Sequence, residues 1–209
     1  MLLAGGLALM PTETVYGIGV AVRAFSTDDP AGASLPPEGS GYRRMFSLKH
    51  RDLEQTVPWL VAGEDDLDVY GERAGEQAHA LARAFWPGAL TLVVEAAPCV
   101  PAFMRAADGT VALRASASPV VQGLIDACGS PLAVTSANTH GAPAPASFEE
   151  VEPRVLQGVD VAIDAGATSC RDASTIVSCI HGRAEVIREG ALPADRIEDA
   201  LRHVSGRLS

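Results

Sequence analysis

The 209-residue chain is predicted to fold as a layered α/β domain. Three observations point there. Apolar, β-branched runs of strand length alternate with segments whose apolar residues recur at helical spacing. Hydrophobic residues make up 47% of the sequence, enough for a sizeable core. No internal repeat and no break in composition marks off a second unit, so residues 1–209 read as one domain.

Leu7 to Met10 is an apolar run that reads as a buried strand cut off by Pro11. Just past it, within nine residues, stand the hydroxyls of Thr12, Thr14 and Tyr16, the carboxylate of Glu13, and Gly17 and Gly19. Loops at the carboxyl ends of strands in open α/β sheets are where ligands bind, although such a string is also ordinary turn chemistry. Ala24 to Arg44 carries three prolines and several Gly and Ser, and reads as a loop or mobile flap. Tyr42 to Leu48 has helical character. Ala78, Leu81, Ala82 and Phe85 mark an amphipathic helix stopped at Pro87-Gly88. Thr91 to Glu95 and Thr110 to Arg114 are strands by β-branched content. Val121, Leu124, Ile125 and Cys128 repeat the helical spacing, with Ser118 as N-cap ahead of Pro119. Leu132 to Thr135, Val159 to Ile163, Thr175 to Ile180 and Glu185 to Arg188 read as further strands, and Ile197 to Val204 as a last helix. The spacing leaves open whether the sheet is mixed or parallel, but the close strands after residue 174 point to an antiparallel part.

Lys plus Arg is 16 against 26 Asp plus Glu, a net charge of −10. That weighs against a protein that coats nucleic acid, since phosphate neutralisation needs a basic surface. Cys99, Cys128, Cys170 and Cys179 show no metal-binding spacing, and Cys128 and Cys179 lie in apolar runs as reduced core residues. The apolar start lacks a positive n-region and is too short to span a bilayer, so a cytoplasmic protein is expected.

Lys49 and Arg51 are two apart: if the helix ends between them, a point charge and a planar fork converge on one ligand, a combination suited to a polyphosphate. The alternative is a solvated basic helix end. Thr135-Ser136-Ala137-Asn138 follows an apolar strand, where small hydroxyls and an amide can bond a ribose, phosphate or carboxylate, or simply form a turn. Arg114 ends one strand and Arg188 another, each with stem buried and head at the rim. Ser174-Thr175 opens a strand. The five histidines are scattered, and no Walker loop or GxGxxG is present, so a nucleotide site here would be built from side chains and strand-end loops.

Taken in order, GGLALMPTETVYGIG, the KHR of Lys49 to Arg51, WPGALTLVV, TVALR, PLAVTSANTHGAPAP, STIV and VIREG resemble the threonylcarbamoyl-AMP synthase family, or YrdC-like domain, from about Gly5 to Ala191. The resemblance implies a twisted, open mixed sheet with flanking helices and a large concave, positively charged cavity. It implies conversion of L-threonine, bicarbonate and ATP to threonylcarbamoyl-AMP and pyrophosphate, with magnesium arriving on the nucleotide, for the threonylcarbamoyladenosine modification of tRNA by a separate transferase. tRNA itself is expected to bind weakly at most. By motif position, Lys49 and Arg51 resemble the family's catalytic, phosphate-binding cations. Gln55, Thr110, Ser136, Asn138 and Arg188 resemble further ATP contacts, and Thr12, Arg114, Thr135 and Ser174 or Thr175 contacts to threonine. The chain departs from the family pattern after Arg51, where Gln55 stands near an expected Asn and Trp59 or Leu60 near an expected His, and at Ala173, where a proline is usual. A further C-terminal domain, found in extended family members, is not expected here. Two other readings are a paralogue making a different carbamoyl-adenylate, as in hydrogenase-maturation carbamoyltransferases, and a non-catalytic RNA-binding module.

Overall fold

The computed structural model describes residues 1–26, 35–36, 38–53 and 55–205. Among them, nine strands form one open, twisted sheet: β1 (Ala8–Pro11), β2 (Tyr16–Ala21), β3 (Trp59–Val61), β4 (Leu90–Glu95), β5 (Thr110–Ala115), β6 (Leu132–Ser136), β7 (Val161–Ala162), β8 (Thr175–Ser178) and β9 (Glu185–Arg188). Their order across the sheet is β7-β1-β2-β6-β3-β5-β4-β8-β9. The pairs β1–β7, β3–β5 and β4–β8 are parallel and the rest antiparallel, so the sheet is mixed. The antiparallel part expected after residue 174 is the β8–β9 pair.

The helices are α1 (Gly41–Lys49), α2 (Asp66–Tyr70), α3 (Glu76–Phe85), α4 (Pro119–Cys128), α5 (Pro153–Gly158) and α6 (Ala194–Ser205). α4 has Pro119 in its first turn and Gly129 in the left-handed conformation (φ 53°) past its end, the usual signals for a start and a stop. Ser118 occupies the N-cap position, but its hydroxyl donates 2.8 Å to the Pro11 carbonyl instead of capping the helix, which ties the start of α4 to the end of β1.

Alternation along the strands divides the core. Leu7, Leu9, Leu90, Leu92, Leu113, Ala133 and Val177 face the larger cluster, where Tyr42, Phe46, Leu81 and Ile197 bring in α1, α3 and α6. Ala8, Met10, Leu60, Leu132 and Val134 face the opposite side, where Val121 and Ile125 of α4 cover them. The second face is thus helix-covered only in part, and the remainder is open.

Several elements differ from expectation. The expected flap and the expected helix overlap at Tyr42 to Arg44, and the helix takes these residues: α1 starts at Gly41, with Tyr42, Met45, Phe46 and Lys49 buried at helical spacing. Residues 27–34 and 37 of that predicted flap lie outside the described residues. Gly17 and Gly19 are not in a loop but in β2. A Cβ at either would meet a Val134 methyl at 2.6 Å, so the close β2–β6 approach requires glycine. β7 is only two residues long. No helix among the described residues is long and apolar enough to cross a membrane.

Candidate active-site cleft

The open part of the second sheet face forms a cleft of about 460 Å³. Leu60, Thr91, Val93, Ala112, Arg114, Val134 and Ile176 line it from within strands, so its floor is the sheet face itself and not only the strand-end loops that the sequence pointed to. Of the twelve predicted site residues, nine line it: Thr12, Lys49, Arg51, Arg114, Thr135, Ser136, Asn138, Ser174 and Arg188. Four of these are cations, and among the described lining residues there is no carboxylate. An acidic chain therefore carries a basic hollow. A larger groove of about 560 Å³ along α1 shares Arg51 with the cleft but none of the other predicted residues.

Lys49 is the last residue of α1. His50 adopts the left-handed conformation (φ 52°), and the Arg51 amide bonds back to the Phe46 carbonyl at 3.0 Å, a Schellman-type stop. This stop turns Arg51 out of the helical path and lets both cations reach the cleft. The Lys49 ammonium lies among four oxygens: the carbonyls of Ser136 (2.6 Å) and Asn138 (2.8 Å), Asn138 Oδ1 (3.0 Å) and Ser136 Oγ (3.4 Å). It thereby braces the β6 loop as well as supplying charge. Burial, then Arg51, push its pKa down to about 8, with Glu152 opposing. Arg51 donates Nε to Gln55 Oε1 (2.6 Å) and Nη2 to the Thr56 carbonyl (2.8 Å). Gln55 therefore stands behind Arg51 and outside the cleft lining.

Arg114, at the far end of β5, is buried. Its Nε donates to the Gly88 carbonyl (3.1 Å) and its Nη2 to Glu13 Oε1 (2.5 Å) and Thr14 Oγ1 (3.0 Å). The other Glu13 oxygen accepts from the Ser116 hydroxyl. Burial by itself raises the Glu13 carboxyl, but Arg114 and Ser116 outweigh it and hold the group below the usual carboxylate range. Thr12 Oγ1 donates to the Val15 carbonyl (2.7 Å) and accepts from the amides of Thr14 and Val15 (3.1 Å each). With its one proton so used, the 2.7 Å contact between the two threonine hydroxyls must be donated by Thr14. The Thr12 hydroxyl is saturated inside the loop, so what it offers the cleft is its methyl group.

Thr91 of β4 and Arg114 of β5 each lie one residue beyond the Leu92–Leu113 pair and both line the cleft; the Thr91 hydroxyl meets that of Ser174 at 2.8 Å. Both are buried cleft residues, and the pair holds one more proton than their mutual bond uses. Arg188 Nη2 donates to the Ser174 carbonyl at 2.7 Å. Thr175 points the other way: its hydroxyl serves Leu192 and the Gly190 amide inside the fold. Thr110 is on the cleft side of β5, but two positions past Ala112, outside the lining, and bonded to Asp108 at 2.7 Å. Sequence reasoning missed Glu13 as the partner of Arg114, and Thr91. The strand alternation of TLVVE was the available signal for Thr91, whereas nothing local links positions 13 and 114. No group of three or more His, Cys, Asp or Glu among the described residues could hold a metal ion.

Comparison with known proteins bears on the fold and the family. The Sua5/YciO/YrdC family model, described as "Telomere recombination", matches residues 33–190. A putative threonylcarbamoyl-AMP synthase of Mycobacterium tuberculosis is 37% identical over 198 residues, covering 95% of this chain and 84% of that protein. The crystal structure of Pyrococcus abyssi Sua5 complexed with L-threonine superposes with a TM-score of 0.83 at 30% identity, covering 96% of this chain and 55% of that one. The chain thus spans about half the length of that relative. Escherichia coli YciO, at 20% identity and a TM-score of 0.78, shares the fold, covering 94% of this chain and 88% of its own. The matched span carries Lys49, Arg51, Arg114, Ser136, Asn138 and Arg188 into one cleft, and the chain belongs to the Sua5/YciO/YrdC family.

Proposed function

We propose that the chain makes threonylcarbamoyl-AMP and pyrophosphate from L-threonine, bicarbonate and ATP. The observation that carries this reading is the single cleft in which Lys49, Arg51, Arg114 and Arg188 surround small hydroxyl and amide groups, in a chain with relatives named threonylcarbamoyl-AMP synthase.

The threonine amine, freed of a proton, adds to the bicarbonate carbon, and water leaves to give a carbamate. A carbamate oxygen then attacks the α-phosphorus of ATP, the α–β bridging P–O bond breaks, and pyrophosphate departs. The nucleophile comes from the substrate, so the protein's work is positioning and charge stabilisation. Lys49, Arg51 and Arg188 offset the repulsion between carbamate and triphosphate. Ser136 and Asn138, braced by Lys49, present small polar groups to the nucleotide. Arg114 takes the amino-acid carboxylate, while the Thr91–Ser174 pair and the Thr12 methyl meet its side chain. Magnesium would enter on the triphosphate; a cleft lined by hydroxyls and an amide suits an ion carried in by substrate and keeping its waters. The product would pass to a separate transferase acting on tRNA, and on this reading the protein works in the cytoplasm.

The test is pyrophosphate release from ATP, measured with and without threonine and bicarbonate. Release that needs both supports the reading. ATP use indifferent to threonine points to another carbamate. No turnover, with salt-sensitive RNA affinity, would replace the reading with a binding module.

A further inference from the structure

We propose that Glu13, which does not line the cleft, is the positioning residue that aims Arg114 at the amino-acid carboxylate. This rests on the threonine reading above and assigns a role that the motif resemblance left open.

Arg114 has five N–H donors in a fixed plane. Nε is held by the Gly88 carbonyl, and Nη2 by Glu13 Oε1 and Thr14 Oγ1. Nη1 makes no hydrogen bond among the described residues, and Arg114 lines the cleft. The fork therefore meets an incoming anion end-on, through Nη1, and not through the two-point grip that a free arginine gives a carboxylate. Direction is everything for such a single-nitrogen contact. Three bonds to two side chains and one carbonyl fix the plane, and the shortest of them is the 2.5 Å ion pair with Glu13.

Glu13 is in turn fixed at every polar atom that matters. Ser116 donates to its second carboxylate oxygen, and its main-chain carbonyl accepts from the Cys170 amide (2.9 Å) and the Ser169 hydroxyl (3.1 Å). The ion pair is buried on both sides, at 7% and 10% side-chain exposure. A surface pair would be screened and soft; a buried, bonded one holds its geometry. Thr91 on the adjacent strand also lines the cleft, and its hydroxyl pair with Ser174 carries a spare proton, so a carboxylate held on Nη1 leaves that pair to meet the side chain.

The test compares steady-state constants of wild type, Glu13→Gln and Ser116→Ala, with thermal melts alongside. Glu13→Gln keeps the shape and removes the charge that holds Nη2. It should raise KM for threonine about tenfold or more, while KM for ATP stays within about twofold. Ser116→Ala leaves the charge but frees one carboxylate oxygen, and should move KM for threonine in the same direction by less. A merely structural Glu13 would shift both constants together with the melting temperature. An unchanged KM for threonine in Glu13→Gln, or an equal rise in both constants, overturns the proposal while leaving the reaction intact. A wild type whose turnover ignores threonine would overturn the functional reading, and this inference with it.

Discussion

Nucleotide affinity should fall steeply above pH 8, because Lys49 loses its proton there. Burial and Arg51 hold the Lys49 pKa at about 8 in the free protein. A phosphate about 4 Å from the ammonium, at an effective dielectric near 20, is worth about 4 kcal/mol. That raises the pKa in the complex by about 3 units, to roughly 11. Between those two values only the protonated form binds well, so affinity drops about tenfold per pH unit and is about 30-fold weaker at pH 9.5 than at pH 7. Calorimetry of a non-hydrolysable ATP analogue in buffers of different ionisation enthalpy reads the same effect directly. Binding should take up about 0.9 proton at pH 9 and about 0.1 at pH 7. Burial raises Tyr16, Tyr42 and Tyr70 above the ordinary phenol value, away from the titration of Lys49. Unfolding does not mimic the loss. The folded pKa lies below the unfolded one, so between pH 8 and about 10.5 the unfolded chain binds more protons and this group makes the fold more stable as pH rises. Affinity that stays flat to pH 9.5, or binding at pH 9 without proton uptake, would show that the Lys49 ammonium does not hold the nucleotide.

Lys49→Met should abolish turnover and also lower the melting temperature, since the carbonyls of Ser136 and Asn138 and Asn138 Oδ1 lose their donor, at about 1–3 kcal/mol for each acceptor left buried and unpaired. Arg51→Met should abolish turnover with a much smaller thermal shift, because Arg51 is only half-buried; equal melting losses in both variants would contradict this. Gly190→Ala should cost about 1–3 kcal/mol in chemical denaturation, because the new Cβ would stand 2.1 Å from the Ala173 carbonyl and 2.8 Å from that of Ser174, and a wild-type midpoint would count against the packing described. Thr110→Val should leave nucleotide affinity within about twofold, since its hydroxyl is bonded to Asp108 away from the cleft; a tenfold loss would restore it to the site. Thiol titration of the native protein should find Cys99 and Cys170 reactive and Cys128 and Cys179 protected until unfolding, the Cys179 thiol being pushed up to about 12 by burial.

Much of this was legible in the sequence where periodicity or β-branching spoke. Residues 78–85 and 121–128 had helical spacing, and TLVVE and TVALR had strand content. β2 was hidden because YGIGVA is buried on both faces, so nothing alternates, and its glycines look like turn residues until Val134 is seen against them. β3 is three residues long and α2 carries three polar or charged residues in five, too little signal for either. At the site, motif order found the cations but not their wiring. Ser174 and Thr175 are adjacent, so alternation sends one to the cleft and the other inward, and only packing decides that Ser174 is the one exposed to ligand. Glu13 and Arg114 are 101 positions apart, a pairing that local pattern cannot show.

In the proposed reaction a carbamate made from substrate strikes ATP inside this cleft. Mass spectrometry of the adenylate formed from ¹³C-bicarbonate, threonine and ATP tests it most directly. One product should form, containing AMP, threonine and the labelled carbon, in step with pyrophosphate. An unlabelled adenylate, or ADP and phosphate in place of AMP and pyrophosphate, would contradict it.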